Sequence, residues 1–264
     1  MAHSKDNEPK YGIIVFLDAL GARTTDISFA KDYLTNVMEL KSNIGMLRDA
    51  IADVDAGQKI PGIKWNAEQL SFKFFGDSVL MAYEFPSSGS PRSCIDCVVF
   101  VVATSICLAL KKGILFRGAI SIGTYVETND VFLGPAITDA ANWYDRSDMV
   151  GAIVTPATMN YLKAIMGLSS KSTEAQVHSP IPRLILYDVP LSRSAKTETK
   201  SILTYVIEWP SLLPRYQGEA EPKDSLSIFF ECIKNSPIPF GAESKYSNTE
   251  AFIKESLKKA QPSN

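Results

Sequence analysis

The order of elements along this chain predicts an α+β sandwich of the ferredoxin-like type, with a mixed sheet and helices on one face. Three observations predict it. Continuous apolar runs of strand length alternate with longer stretches of helical spacing. Gly76-Asp77 splits one pair of runs into a hairpin. The order that results is strand, helix, hairpin, helix, strand, helix, strand.

Tyr11 to Leu17 is an unbroken apolar run, as a strand buried on both faces requires. Gly21 marks the turn after it. Ser28 to Ala52 then has helical spacing through Phe29, Tyr33, Leu34, Val37, Leu40, Ile44 and Leu47. Pro61-Gly62 punctuates a loop. Leu70 to Phe75 and Val79 to Phe85 form the hairpin, with Asp77 at its tip. Pro86 to Ser93 reads as a loop and Ile95 to Lys111 as a buried amphipathic helix. Phe116 to Tyr125 alternates as a strand does. Gly134-Pro135 opens a helix within Val131 to Tyr144, and Ile153-Val154 is a short strand before a helix start at Thr155-Pro156.

After Ser169 the character changes. Ser169 to Ser179 is a polar loop, and Leu184 to Val189 and Leu203 to Trp209 are strands separated by the charged stretch Ser192 to Ser201. Thr249 to Ala260 is a basic amphipathic helix. The expected organisation is a core over 11–168, with 169–264 adding strands and a helix to the same domain.

At 264 residues, with 45% hydrophobic and 21% charged residues, the composition is that of an ordinary globular protein. A net charge of −2 gives no global attraction to nucleic acid or anionic membrane, so a phosphate-bearing ligand must be held locally. The polar N-terminus and the cysteine usage suggest a cytoplasmic protein with reduced thiols. Cys94-Ile95-Asp96-Cys97 has the spacing of half a zinc site or a redox pair, but it lies within an apolar helical pattern where cysteine packs as a small hydrophobe.

Asp18 and Asp77 are the chemically informative residues, because each puts a carboxylate at the edge of an apolar strand with a glycine nearby. Asp18 has the alternative role of capping the following helix, and Asp77 that of serving the hairpin turn. Paired carboxylates on neighbouring strand ends suit two divalent ions held against a triphosphate.

Phe16-Leu17-Asp18-Ala19-Leu20-Gly21, Lys73-Phe74-Phe75-Gly76-Asp77, Arg117-Gly118-Ala119-Ile120-Ser121-Ile122-Gly123 and the stretch Gly134 to Asn142 occur in the order of four motifs of the class III nucleotidyl cyclases. Over roughly residues 11 to 160 the chain resembles that catalytic domain. It looks most like the pyrimidine cyclases of bacterial Pycsar antiphage systems, through the Phe-Leu-Asp-x-Leu-Gly start, Gly134-Pro135-Ala136 and Val206-Ile207-Glu208-Trp209-Pro210.

The resemblance implies cyclisation of UTP, or less readily CTP, to a 3′,5′-cyclic monophosphate that activates a separate effector protein. It implies two Mg2+ or Mn2+ ions on Asp18 and Asp77, with the Ala19 carbonyl as a further ligand. Amides from Ala19 through Gly21 and Ala22 to Arg23 would cradle the outer phosphates, and Arg117 would reach phosphate; a surface ion-pair member at a strand start is the alternative for Arg117. Lys73, with Phe72, Phe74 and Phe75, would narrow a base pocket that Val131 and Phe132 help to wall; a solvated lysine is the alternative for Lys73. Thr138 and Asn142 stand where purine cyclases carry their transition-state asparagine and arginine. A head-to-tail homodimer would bring the Thr138 and Asn142 of one chain to the aspartates of the other. The competing readings are a catalytically inactive, cyclase-like nucleotide sensor, a purine cyclase, and a polymerase-type palm; the acidic pI of about 5.8 opposes the last.

Overall fold

Strands of this chain join into one mixed sheet in the computed structural model, which describes residues 8–20, scattered positions between 31 and 46, and 69–87, 91–128, 131–165, 183–192, 199–216, 224–234 and 242–260. In chain order the strands are β1 (Lys10–Leu20), β2 (Leu70–Phe75), β3 (Ser78–Glu84), β4 (Leu115–Glu127), β5 (Phe132–Leu133), β6 (Gly151–Val154), β7 (Leu184–Pro190) and β8 (Ser201–Ile207). The helices are α1 (Pro91–Lys111), α2 (Pro135–Trp143), α3 (Pro156–Ile165), α4 (Ser225–Ile233) and α5 (Glu243–Ala260). The sheet order is β2-β3-β1-β4-β6-β8-β7, with β5 paired to β4. β2, β3, β1 and β4 are successively antiparallel. That is the ferredoxin-like arrangement, and the class expected from the sequence is the class observed. The parallel β4–β6 pair makes the sheet mixed.

The helix expected over 28–52 lies largely outside the described residues, although the positions described between 31 and 46 are helical. Pro61-Gly62, the loop Ser169–Ser179 and most of the stretch from Ser192 to Ser201 also lie outside them.

The helices do not all lie on one face, which corrects the expectation. In β1, Ile13, Val15, Leu17 and Ala19 join the main core with α1, whereas Ile14 and Phe16 belong to a second cluster with Leu80, Ala82, Phe132, Ala136 and Ala140. Alternate strand residues point to opposite faces, so α2 covers the face opposite α1. The unbroken apolar run of β1 is the signature of a strand covered on both sides, but it does not say what covers it.

Helix α1 starts at Pro91, four residues earlier than its spacing suggested, with the proline in the first turn where its missing N–H is harmless. By length and composition α1 is apolar enough to cross a membrane, but most of it is buried against the sheet and the C-terminal helices. Burial of Ile95, Val98, Val99, Val101, Val102, Ile106 and Leu110 stabilises the fold by on the order of 10 kcal/mol, an upper figure because unfolded chains are not fully extended.

The C-terminal strands extend the same sheet through the β6–β8 contact. A 3-10 helix (Pro210–Tyr216) and α4 follow, neither foreseen from the sequence. Asp224 caps α4 by accepting from the amides of Leu226 and Ser227, a local signal legible as an N-cap. The interior, Leu226-Ser227-Ile228-Phe229-Phe230, has strand-prone composition, and packing overrides it. Buried Glu208 ties these pieces together: it accepts from Ser211 Oγ at 2.6 Å and Ser256 Oγ at 2.7 Å and pairs with Arg183 at 3.2 Å.

Candidate active site

Phe75, Ser78, Asp18 and Arg117 form one cross-strand row, because Phe75 pairs with Ser78, Ser78 with Asp18 and Asp18 with Arg117. Cross-strand partners share a face, and this row continues the Ile14–Phe16 face toward the end of the sheet. Asp18 sits inside β1, which continues to Leu20. It is therefore not the cap of a following helix, and it does not stand at the strand's edge. Its Oδ1 accepts from Ser78 Oγ at 2.9 Å, and its Oδ2 lies 3.6 Å from Arg117 Nη2. The two charged side chains are only 18% and 19% exposed, so water screens them weakly. Gly118, beside Arg117, is required by close strand approach: a Cβ there would lie 2.2 Å from the Phe16 carbonyl oxygen.

Asp77 occupies the second position of the β2–β3 turn, after Gly76 with φ of 59°. A positive φ at the first loop position is what a type II′ hairpin turn demands of its glycine. The Ala19 amide donates to the Asp77 carbonyl at 3.1 Å, so the turn is laced to β1 one residue past Asp18. Register therefore brings the two aspartate-bearing segments side by side. The same bond engages the Ala19 amide, which removes it from the expected phosphate cradle. In an extended strand the N–H and C=O of one residue face the same neighbour, so the Ala19 carbonyl also faces the hairpin tip. Gly21, Ala22 and Arg23 lie outside the described residues.

Among the described residues no cluster of three or more His, Cys, Asp or Glu side chains is arranged to hold a metal ion. The available donor set is two carboxylates and a carbonyl, all oxygen, which fits Mg2+ or Mn2+ and not zinc.

Lys73 is not a solvated lysine. Its Nζ donates to the Thr128 carbonyl at 2.7 Å and lies 4.6 Å from the centre of the Phe132 ring. Lys73 pairs with Leu80 on the α2-covered face. Phe72 and Phe74 alternate with it, pack into the main core and meet edge to face at 6.1 Å. They cannot narrow a pocket around Lys73, which corrects that expectation. Phe75 does share the Lys73 face and is 49% exposed, with Val131 at 45%. Lys73, Phe132 and Phe75 thus share the α2-covered side of the sheet, and the Val131 backbone is bonded to Thr128, whose carbonyl holds Lys73.

Thr138 and Asn142 are exposed on α2, and the Asn142 carbonyl accepts from Arg146 Nε at 3.1 Å. Sequence reasoning passed over two contributors nearby. Asp139 Oδ2 accepts from Ser121 Oγ at 2.8 Å and Thr155 Oγ1 at 2.6 Å, which docks α2 onto β4 and the start of α3. The Asp145 carbonyl accepts from Arg117 Nη1 at 2.9 Å, and Tyr144 packs on Phe16 with ring centres 4.6 Å apart. The Asp139 neighbours are far apart in sequence, and a backbone carbonyl has no residue signature, so neither was legible.

The Cys94–Cys97 pair behaves as core. Cys94 is buried, neither cysteine forms a disulfide, and burial pushes the Cys94 thiol up, away from the thiolate a zinc ligand needs.

No protein-family profile matches the chain, and no curated protein sequence matches it. Among solved structures it is similar to the adenylyl cyclase CyaB from P. aeruginosa, at 11% identity over 76% of this chain and 95% of that one, with a TM-score of 0.43. It is also similar to the catalytic core of a rhodopsin-guanylyl cyclase with converted specificity, solved in complex with ATPalphaS. There the identity is 13%, over 76% of this chain and 97% of that one, with a TM-score of 0.41. Identities this low leave the chemistry of this chain to be read from its own residues.

Proposed function

We propose that this protein is a nucleotidyl cyclase that converts a pyrimidine nucleoside triphosphate, UTP ahead of CTP, to its 3′,5′-cyclic monophosphate and pyrophosphate. The observation that carries the proposal is the register that lays the Asp77 turn beside Asp18, with Arg117 directly across from Asp18. These residues stand in the order and spacing of the cyclase motifs.

In this reading Asp18 and Asp77, with the Ala19 carbonyl, would hold two Mg2+ or Mn2+ ions. When bound, the ions acidify the ribose 3′-hydroxyl and neutralise phosphate charge. The 3′-hydroxyl gives its proton to solvent as its oxygen attacks the α-phosphorus, the new ester bond forms, and the bond to the bridging oxygen breaks as pyrophosphate leaves. Arg117 supplies a guanidinium for the phosphates. Lys73, Phe132 and Val131 are the proposed base contacts, and Lys73 over the Phe132 ring supports a site for a single pyrimidine ring. Gly21 and Ala22 remain proposed phosphate contacts. Exposed Thr138 and Asn142 serve the site of a second copy in a head-to-tail homodimer. The core is assigned to 11–168, completed by 169–264, in a cytoplasmic enzyme whose product activates a separate antiphage effector.

The test is incubation of the purified protein with ATP, GTP, CTP and UTP in Mn2+, with products identified by mass. A cyclic pyrimidine monophosphate is the expected product. A cyclic purine product would overturn the base assignment alone. One second reading has specific support: Thr138 and Asn142 in place of asparagine and arginine favour an inactive nucleotide sensor, which binding of UTP without turnover would establish.

A further inference from the structure

Arg117 has an unusual set of partners for a residue assigned to phosphate. Its Nη2 lies 3.6 Å from Asp18 Oδ2, its Nη1 donates to the Asp145 carbonyl at 2.9 Å, and its Nε is buried with no hydrogen-bond partner among the described residues. The pair is part-buried, and the strand register holds it, since Asp18 and Arg117 are Cα partners in β1 and β4. A guanidinium in this pose neutralises the carboxylate that a metal ion would need. Its unpaired Nε and its single, loose contact to Asp18 mark a pose that is only partly satisfied.

We infer that Arg117 is a resident counter-cation: it holds Asp18 before metal binds, competes with the first divalent ion, and is released to the triphosphate when that ion binds. The inference rests on the assignment of Asp18 and Asp77 as metal ligands. Two consequences follow from charge alone. The free enzyme binds Mn2+ weakly, because the ion must displace or lie beside a positive group. Triphosphate and metal then bind cooperatively, because the phosphates give the guanidinium a bidentate partner and so relieve the competition. Such coupling is reciprocal. Ser78, which donates to the other Asp18 oxygen, keeps the carboxylate oriented through the exchange.

The experiment measures Mn2+ binding by the free protein, without nucleotide, from the electron paramagnetic resonance signal of unbound Mn2+. The wild type, Arg117→Gln, Arg117→Lys and Asp18→Asn are compared, with folding checked by circular dichroism. Arg117→Gln is expected to tighten Mn2+ binding by roughly tenfold, within the usual range for coupled sites. Arg117→Lys keeps the charge and stays near the wild type, and Asp18→Asn loses binding. A merely structural arginine would give equal or weaker binding in Arg117→Gln, which overturns the inference and leaves the metal assignment standing. Absence of saturable Mn2+ binding in both the wild type and Arg117→Gln overturns the metal assignment itself. Should Arg117→Gln not fold, arginine side-chain NMR of the unmodified protein decides the matter. Saturating Mg2+ is expected to move an arginine Nε resonance that is missing in Arg117→Lys, and no movement refutes the displacement.

Discussion

Asp18 and Asp77 are held by different means, yet both are expected to matter to turnover. Asp18 is anchored by Ser78 and Arg117 within a strand, whereas Asp77 rides on a turn that a glycine shapes. Either Asp18→Asn or Asp77→Asn is expected to lower turnover by at least about a hundredfold, the scale of losing one preorganised electrostatic group. Circular dichroism should show both proteins folded; a folded variant with full activity would remove that residue from the site. Asp96 makes a different prediction. Burial pushes its carboxyl up to about 6, against the lowering effect of Arg92, and its Oδ1 is buried without a hydrogen-bond partner among the described residues. The folded state therefore binds this proton more tightly than the unfolded chain does, so stability falls as pH rises from about 4 toward 6. Asp96→Asn should flatten that dependence and raise the melting temperature at neutral pH, as thermal melts across the range would show. The two motif aspartates were legible in the sequence because each interrupts an apolar run. Asp139 and the Asp145 carbonyl were not, because their partners come from distant strands.

At the scale of elements, β1 and β4 carry the site, and their spacing depends on glycine. At Gly118 a Cβ would stand 2.2 Å from the Phe16 carbonyl oxygen and 2.6 Å from Leu17 Cδ2. Gly118→Ala is expected to destabilise the protein by about 2 kcal/mol or more in urea unfolding, because two central strands must separate to admit a methyl group. A change within experimental error would mean that β4 shifts freely at this point. The loop after α2 is pinned from the other end of the chain. Val150 N donates to Thr249 Oγ1 at 2.9 Å, and Lys245 pairs with Asp148 at 3.1 Å, so α5 fixes the segment whose Asp145 carbonyl holds Arg117. This gives the C-terminal helix a place in the site that its basic amphipathic pattern did not disclose. Strand and helix positions followed from periodicity. The face of each helix did not, since the apolar run of β1 reads the same whichever helix covers which side.

Across the whole molecule, Thr138 and Asn142 are exposed on the face that carries Asp18 on the sheet beneath. If sites form between copies, each site takes its aspartates from one chain and its α2 residues from the other. Where Asp77→Asn and Asn142→Ala are each inactive alone, refolding equimolar chains together should then recover about a quarter of wild-type activity. Half of the dimers would be mixed, and each mixed dimer would hold one intact site of two. No recovery would place both residues in the site of the same chain.

The sequence by itself determined the strand-forming runs, the hairpin with Asp77 in its turn, and the residue types able to hold a divalent cation. These are local: period, turn chemistry and composition act over a few neighbours. Only the tertiary structure decided that Phe72 and Phe74 turn away from Lys73, that α2 lies opposite α1, and that Arg117 faces Asp18. Those outcomes depend on cross-strand register, where a shift of one residue exchanges every side chain between faces. Register is set by packing among segments far apart in the chain.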